Sequence, residues 1–262
     1  MSIDVSRASD ARIQNFLLGG VDNYPADRAA GRRLLDLAPD AQRLARINRE
    51  FVRRAVRYLA TECGVRQFLD HGPGLPARDG PPIHQVARRA NKNARVVYID
   101  QDPLVVAHAR MMLDTSHTLV LDSDVLASDI ILSKSRKAGF CDTKAPVAAL
   151  FASVLHCVPD AADPWQRVHE LVARLPSGSY LVLCHLTSDD PKFREEVSSV
   201  MRERTDNQWA CVRSREQVRR FFMGLEPVGG PLGDVAQWHS SPDIQPHGNP
   251  RWFEYGGVAR TP

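Results

Sequence analysis

The sequence predicts an α/β fold, a mainly parallel sheet with helices on both faces. Two patterns carry that prediction. From Val65 onward, short apolar runs alternate with stretches of helical period, which is the pattern of successive βαβ units. The first run ends in a turn with two glycines, Gly72 and Gly74, and the second ends in an acid, Asp100. The bulk composition agrees: 262 residues, 43% hydrophobic and 25% charged, describe a globular chain with a sizeable core.

The elements follow in order. The segment before Val65 reads as helical. Leu17 through Pro25 joins a glycine pair to Asp22, Asn23 and a proline, which is loop chemistry. Asp27 caps a short helix through Leu37, stopped before Pro39. From Leu44, apolar residues at 47, 51, 52, 55, 56 and 59 mark an amphipathic helix, and its arginines (43, 46, 49, 53, 54, 57) read as a solvated face. The expected strands are Gln67–Asp70, Arg95–Ile99, Thr118–Leu121, Val147–Phe151 and Ser179–Cys184. The expected helices are Ile83–Asn91, Leu104–Leu113, Trp165–Leu175, Lys192–Arg204 and Ser214–Phe222. A turn-rich tail with a loop at Pro242–Pro250 leads to Phe253–Arg260, expected as a closing edge strand.

Several chemistries are excluded or disfavoured. A net charge of +3 gives no bulk reason to bind nucleic acid. The five cysteines show no CxxC spacing and read as buried free thiols of a cytoplasmic protein, not as a zinc site or a disulfide framework. There is no P-loop, HExxH or GxSxG motif, no signal-peptide core and no membrane-length apolar run. No metal is implied.

Four segments carry candidate chemistry. Phe68 through Pro76 places Gly72 and Gly74 after the first strand, where glycine lets the backbone approach a ligand. Asp100, at the end of the second strand, suits the two ribose hydroxyls of a nucleoside, while Asp102 suits the cap of the following helix. Asp124, rather than Asp122, is placed to meet an adenine amino group or to cap a helix. The fourth strand runs through Ser153 to His156, a residue suited to a general base or to a structural role, with His185 and Asp22 as other base candidates.

Together these segments resemble class I S-adenosylmethionine-dependent methyltransferases, and more narrowly an actinobacterial family first catalogued as a domain of unknown function. The marks are Arg12 through Asp27 (RIQNFLLGGVDNYPAD), Asn48 through Leu59 (NREFVRRAVRYL), Gln67 through Pro76 (QFLDHGPGLP), Val96 through Arg110 (VVYIDQDPLVVAHAR), Val154 through Asp160 (VLHCVPD) and Gly178 through His185 (GSYLVLCH). The resemblance covers nearly the whole chain. It implies a single domain over 1–262, with an N-terminal helical lid segment (1–64) and a Rossmann-like, seven-stranded, mostly parallel core (65–262). It implies S-adenosyl-L-methionine as cofactor, contacted by Asp70, Gly72, Gly74, Asp100, Ser123, Asp124 and Ser153, with Asn23 and Tyr24 in the lid near the pocket. The implied partner is a small-molecule acceptor, with neither membrane nor nucleic acid; a homodimer is left open. Three features depart from the family pattern: His71, Pro73 and the run Arg78 through Pro82.

Two rival functions share these motifs. An NAD-dependent oxidoreductase also uses a glycine turn and a strand-end acid, but Gly72 to Asp100 exceeds the roughly 20 residues that cofactor needs, and the third glycine is missing. A non-catalytic protein that binds S-adenosylmethionine or its product and regulates a partner would carry the same residues.

Overall fold

The computed structural model describes residues 4–76, 80–112, 116–142, 144–240 and 251–262. Three helices precede the sheet. In α1 (Asp10–Leu17), the Ser9 side chain accepts the Arg12 N–H, so one orphan donor of the first turn is satisfied. α2 (Pro25–Leu37) begins on proline, whose missing N–H costs nothing there. Asp27 closes its first turn by accepting the Tyr24 N–H at 2.7 Å, and the helix stops before Pro39 as expected. α3 (Ala41–Thr61) buries the predicted stripe of Leu44, Phe51, Val52, Ala55, Val56 and Leu59.

The arginines of α3 correct the sequence reading. Arg43, Arg46 and Arg57 are exposed, but three others bind backbone. Arg49 donates to the Leu75 carbonyl at 2.8 Å, Arg53 to Pro81 at 3.1 Å, and Arg54 to Trp238 and Val235 at 2.8 and 2.7 Å. Guanidinium groups offer several donors in a fixed fork, so one helix face can clamp loops whose carbonyls lack ladder partners.

The strands are β1 (Gln67–His71), β2 (Arg95–Asp100), β3 (Thr118–Asp122), β4 (Val147–Ala152), β5 (Tyr180–Thr187), β6 (Glu226–Pro227), β7 (Gly233–Asp234) and β8 (Phe253–Arg260). They form one sheet in the order β3-β2-β1-β4-β5-β8-β6, with β7 also pairing β8. The first five are parallel to their neighbours, and β8 is antiparallel to β5. The expected mostly parallel α/β sheet is therefore present, its seven-strand path joined by the short β7.

β8 is not an edge. It lies between β5 and the pair β6 and β7, and it is buried from Phe253 to Ala259. The covering strands are two residues each and fall in a Gly- and Pro-rich stretch that reads as turns, so their pairing is invisible in the pattern.

Helices α4 (Ile83–Ala90), α5 (Pro103–Met112), α6 (Ser128–Lys137), α7 (Pro164–Ala173), α8 (Pro191–Thr205) and α9 (Arg215–Arg219) fill the connections. α6 is absent from the sequence expectation, because it buries only Ile131, Leu132 and Ser135 and shows too short a stripe. The expected loop at 242–250 and Leu113 lie outside the described residues.

The core has three parts. One face of the sheet packs Leu69, Val97 and Phe151 against Ile131, Trp165 and Val168. The other packs Phe68, Val96 and Tyr98 against Phe51 and Val56. The third joins α1, α2 and α8 through Ile13, Leu34, Phe193, Met201 and Trp209. All five cysteines are free, with Cys141 and Cys184 buried and the others partly exposed, so the expected burial holds for two of them. Among the described residues, no helix is long and apolar enough to cross a membrane.

Candidate active site

The chain steps outward from β1 to β3 and then returns to place β4 on the other side of β1. Loops leaving β1 and β4 diverge there, which opens a crevice at the carboxyl ends of the strands. A cavity of about 610 Å³ occupies that crevice. Asp70, Gly72, Gly74, Asp100, Asp124 and Ser153 line it, six of the residues expected from the sequence.

The glycine turn is built for close approach. Gly72 and Gly74 have φ of +74° and +66°, a region that costs little only without a Cβ. A Cβ on Gly72 would stand 2.3 Å from a Val154 methyl, so the turn also packs against the loop after β4. The Gly72 N–H donates to the Ile99 carbonyl at 2.8 Å, which ties the turn to β2. Leu75, only 1% exposed, anchors the chain beyond it.

Two carboxyls end the strands beside this turn, Asp70 buried and Asp100 half-buried. Burial pushes Asp70 up to about 7, opposed by the Arg49 guanidinium and reinforced by the charge of Asp100. Burial likewise pushes Asp100 up to about 7, opposed by hydrogen bonds from backbone N–H groups, that of Asp102 first among them. Asp102 itself accepts the Leu104 N–H at 2.8 Å and so caps α5, as the sequence suggests.

Of the two residues expected near adenine, Asp124 is exposed and Ser123 is not. Asp124 accepts the Leu126 N–H at 2.9 Å on one oxygen and meets Arg167 at 2.9 Å on the other. Ser123 is buried beneath it, its N–H on the Asp100 carbonyl, and does not line the cavity.

Past β4 the chain turns sharply. Ser153 sits at φ +47°, in the left-handed region, and its hydroxyl donates to Glu254 Oε1 at 2.5 Å. Glu254 belongs to β8 and is 1% exposed; burial pushes it up to about 7, opposed first by the Ser153 hydrogen bond. Its second oxygen has no partner among the described residues.

The histidines are not on the cavity wall. His156 is fully buried, its ring 4.4 Å from Trp209 and its Nε2 3.0 Å from Asp10 Oδ1. His185 is fully buried too, its Nδ1–H donating to the Leu186 carbonyl and its Nε2 accepting from Arg213; burial and that guanidinium hold it well below the ordinary histidine range. His71 stacks on Phe151 at 4.2 Å, donates Nδ1–H to the Val125 carbonyl and is pushed by burial down to about 4, so this departure from the family pattern is a neutral packing residue. Pro73 lines the cavity, while Arg78 and Asp79 lie outside the described residues.

The segment expected as a lid is built differently from the expectation. Asn23 donates to Asn15 and the Gly20 carbonyl, Tyr24 lies under the Arg12 guanidinium, and Asp22 stands 3.8 Å from His108. None of these three reaches the cavity wall; α1 does, through Asp10 and Gln14. Asn48 and Arg49 of α3 also line it. Asp10, Asn48 and Arg49 line the cavity and Glu254 stands behind Ser153; local reading finds none of the four. The signal for Asn48 and Arg49 is their place within the NREFVRRAVRYL block, while nothing local marks Glu254 or Asp10.

A family model described as S-adenosyl methyltransferase matches residues 1–262. The chain belongs to that family. S-adenosylmethionine is accordingly its methyl donor. Solved structures agree with the assignment. The methyltransferase is 33% identical to a DUF574 family protein from Streptomyces avermitilis, covering 100% of both chains at a TM-score of 0.90. It is 32% identical to a protein from Thermobifida fusca assigned as a methyltransferase, covering 98% of this chain and 96% of that one at 0.86. At 9% identity and a TM-score of 0.54 it shares its fold with the plantazolicin methyltransferase BpumL, solved with SAH and a desmethylPZN analogue, over 96% of each chain. No curated protein matched the chain.

Proposed function

We propose that this methyltransferase passes the methyl group to a small-molecule acceptor held between α1 and the end of β4. The observation that supports this most is the cavity itself: it joins the glycine turn and Asp100 on one side to α1 and Ser153 on the other. In this reading Asp100 accepts from the ribose hydroxyls and Asp124 takes the adenine amino group. Asp70 meets the ammonium of the methionine end, with Arg49 close enough to balance it electrostatically. Ser123, Asn23, Tyr24 and His156 act from behind the wall, as supports.

When bound, the cofactor supplies a methyl carbon already activated by its sulfonium. The protein then has to hold the nucleophile in line and exclude water, which is worth roughly 7–11 kcal/mol when geometry is right. A cavity of about 610 Å³ suits a small acceptor better than a polymer. A cytoplasmic location and an actinobacterial source are part of the proposal, supported by the free cysteines and the sources of the two similar structures.

Calorimetric titration tests it, with S-adenosylmethionine, S-adenosylhomocysteine and NAD on the wild type and on Asp100→Ala. Binding of both sulfur nucleosides, weakened at least tenfold by the substitution, is the expected result; a lost charge-assisted hydrogen bond is worth about 1.5–3 kcal/mol. Binding of NAD in their place would overturn the proposal.

A further inference from the structure

The acceptor end of the cavity holds a carboxylate that the cofactor reading does not use. Asp10 is the first residue of α1, and its side chain is 19% exposed to the cavity. One donor from the short helical turn after β4 holds it. The His156 ring approaches it at 3.0 Å through Nε2, and the Cys157 sulfur lies within 4.8 Å of the same pair. His156 is itself locked by Trp209 and by complete burial. One face of a carboxylate is thus fixed from behind while the other looks into the cavity.

The arginines of the same segment are committed elsewhere. Arg12 pairs with Asp27 at 3.0 Å, and Arg7 pairs with Asp206. The strand ends locate Asp10 relative to the cofactor. Asp124 follows β3 and Asp100 ends β2, so a nucleoside laid across the strand ends has its sulfur end over β1 and β4. Asp10, Ser153, Val154 and Cys157 are the wall at that end.

We infer that Asp10 is the acceptor-facing catalytic carboxylate and that the acceptor is an amine, protonated in solution. The inference rests on the methyltransferase reading and extends it to a substrate class. A carboxylate attracts an ammonium and repels an anionic acceptor. A neutral phenol or alcohol gains no such attraction. In the step, the ammonium held by Asp10 loses one proton to water, and the freed nitrogen lone pair forms the N–C bond to the methyl carbon. The C–S bond breaks with its electron pair left on sulfur. The products are S-adenosylhomocysteine and a methylated amine. His156 is a positioning residue, because it touches Asp10 and stands behind the cavity wall.

Sinefungin, the cofactor analogue in which an amine-bearing carbon replaces the methyl sulfonium, places an ammonium where the reacting groups meet. Its affinity is compared with that of S-adenosylhomocysteine by calorimetry on the wild type and Asp10→Asn. The expected result is a preference for sinefungin of roughly tenfold or more in the wild type, the worth of a charge-assisted hydrogen bond. Asp10→Asn loses that preference while S-adenosylhomocysteine binds within about twofold of the wild type. Equal affinity in the wild type, or a preference that survives Asp10→Asn, would overturn the inference and leave the methyltransferase reading standing. Failure of both nucleosides to bind the wild type would overturn that reading first. Asp10, His156 and Cys157 also bring one ligand atom each within 4.8 Å of one another. A stoichiometric metal in the purified wild type that is absent from Cys157→Ala would therefore overturn the inference as well, by making Asp10 a ligand.

Discussion

Asp70 and Glu254, buried by the fold, and the half-buried Asp100 are acids that loss of solvent raises to about 7. A carboxyl whose folded value exceeds its unfolded one binds more protons in the folded state between those two values. Its effect on stability therefore turns unfavourable as pH rises through that window, from about 4.5 to about 7 for Glu254, and is fully unfavourable above it. Glu254→Gln replaces the protonated form with a neutral group of similar shape. Urea unfolding is expected to show the variant close to the wild type at the acid end of the window. Above it the variant gains relative stability on the order of 3 kcal/mol. A difference that does not change with pH would show that Glu254 is not the titrating group. His71 works in the opposite sense: its value is depressed to about 4, so its contribution is present above the ordinary histidine range and is lost toward pH 4.

At the scale of elements, the glycine turn and the N-terminal segment depend on single atoms. Gly72→Ala places a methyl 2.3 Å from Val154 at φ +74°. Such strain costs about 1–3 kcal/mol, and the turn would move away from the nucleoside. The expected outcome is a lowered urea midpoint together with weakened S-adenosylhomocysteine binding, whereas an unchanged affinity would separate the turn from the cofactor site. α1 is held onto α2 by one buried ion pair, Arg12 with Asp27, exposed by 4% and 0%. Asp27 also accepts the Ser9 and Tyr24 N–H groups. Asp27→Asn leaves the Arg12 charge buried and unbalanced, a loss of about 3–5 kcal/mol. Denaturant unfolding checks the stability, and protease sensitivity within residues 4–24 checks whether the segment detaches. α3 has the same bridging role, since Arg49 and Arg53 fasten the loop after β1 while Arg54 fastens the segment before β8.

Over the whole molecule, topology decides where these residues meet. The parallel half of the sheet aligns every strand-end loop on one side, and the return from β3 to β4 opens the crevice between them. The antiparallel β8 then carries Glu254 to within 2.5 Å of Ser153, 101 residues away in sequence. The third core cluster packs α1 and α2 on α8, so α1, which lines the cavity, is tied to the far half of the chain. A ligand bound only by the folded state stabilises it by RT ln(1 + [L]/Kd), about 2.7 kcal/mol at a hundredfold excess over Kd. Saturating S-adenosylhomocysteine is therefore expected to raise Tm in the wild type, while an equal excess of NAD leaves it unchanged; a rise with NAD alone would contradict the cofactor assignment.

Some of this is determined by the sequence alone. The period of the apolar residues sets the helices and strands of the parallel half, because burial on a 3.6- or two-residue repeat is a local constraint. Gly72, Gly74 and Asp100 are legible because a turn after one strand and an acid after the next can be recognised without knowing what they face. Other features required the tertiary structure. β8 reads as an edge because the strands that cover it are too short to show a pattern. The arginines of α3 read as solvated because the carbonyls they bind come from distant loops. Asn23 and Tyr24 read as pocket residues and instead brace the N-terminal segment, while Asp10, unmarked in its own segment, meets His156 at a distance of 146 residues. A local pattern records which face of an element is buried. Which distant group a polar side chain meets there depends on how the elements pack, and at this site packing sets the pairing of Asp10 with His156 and of Ser153 with Glu254.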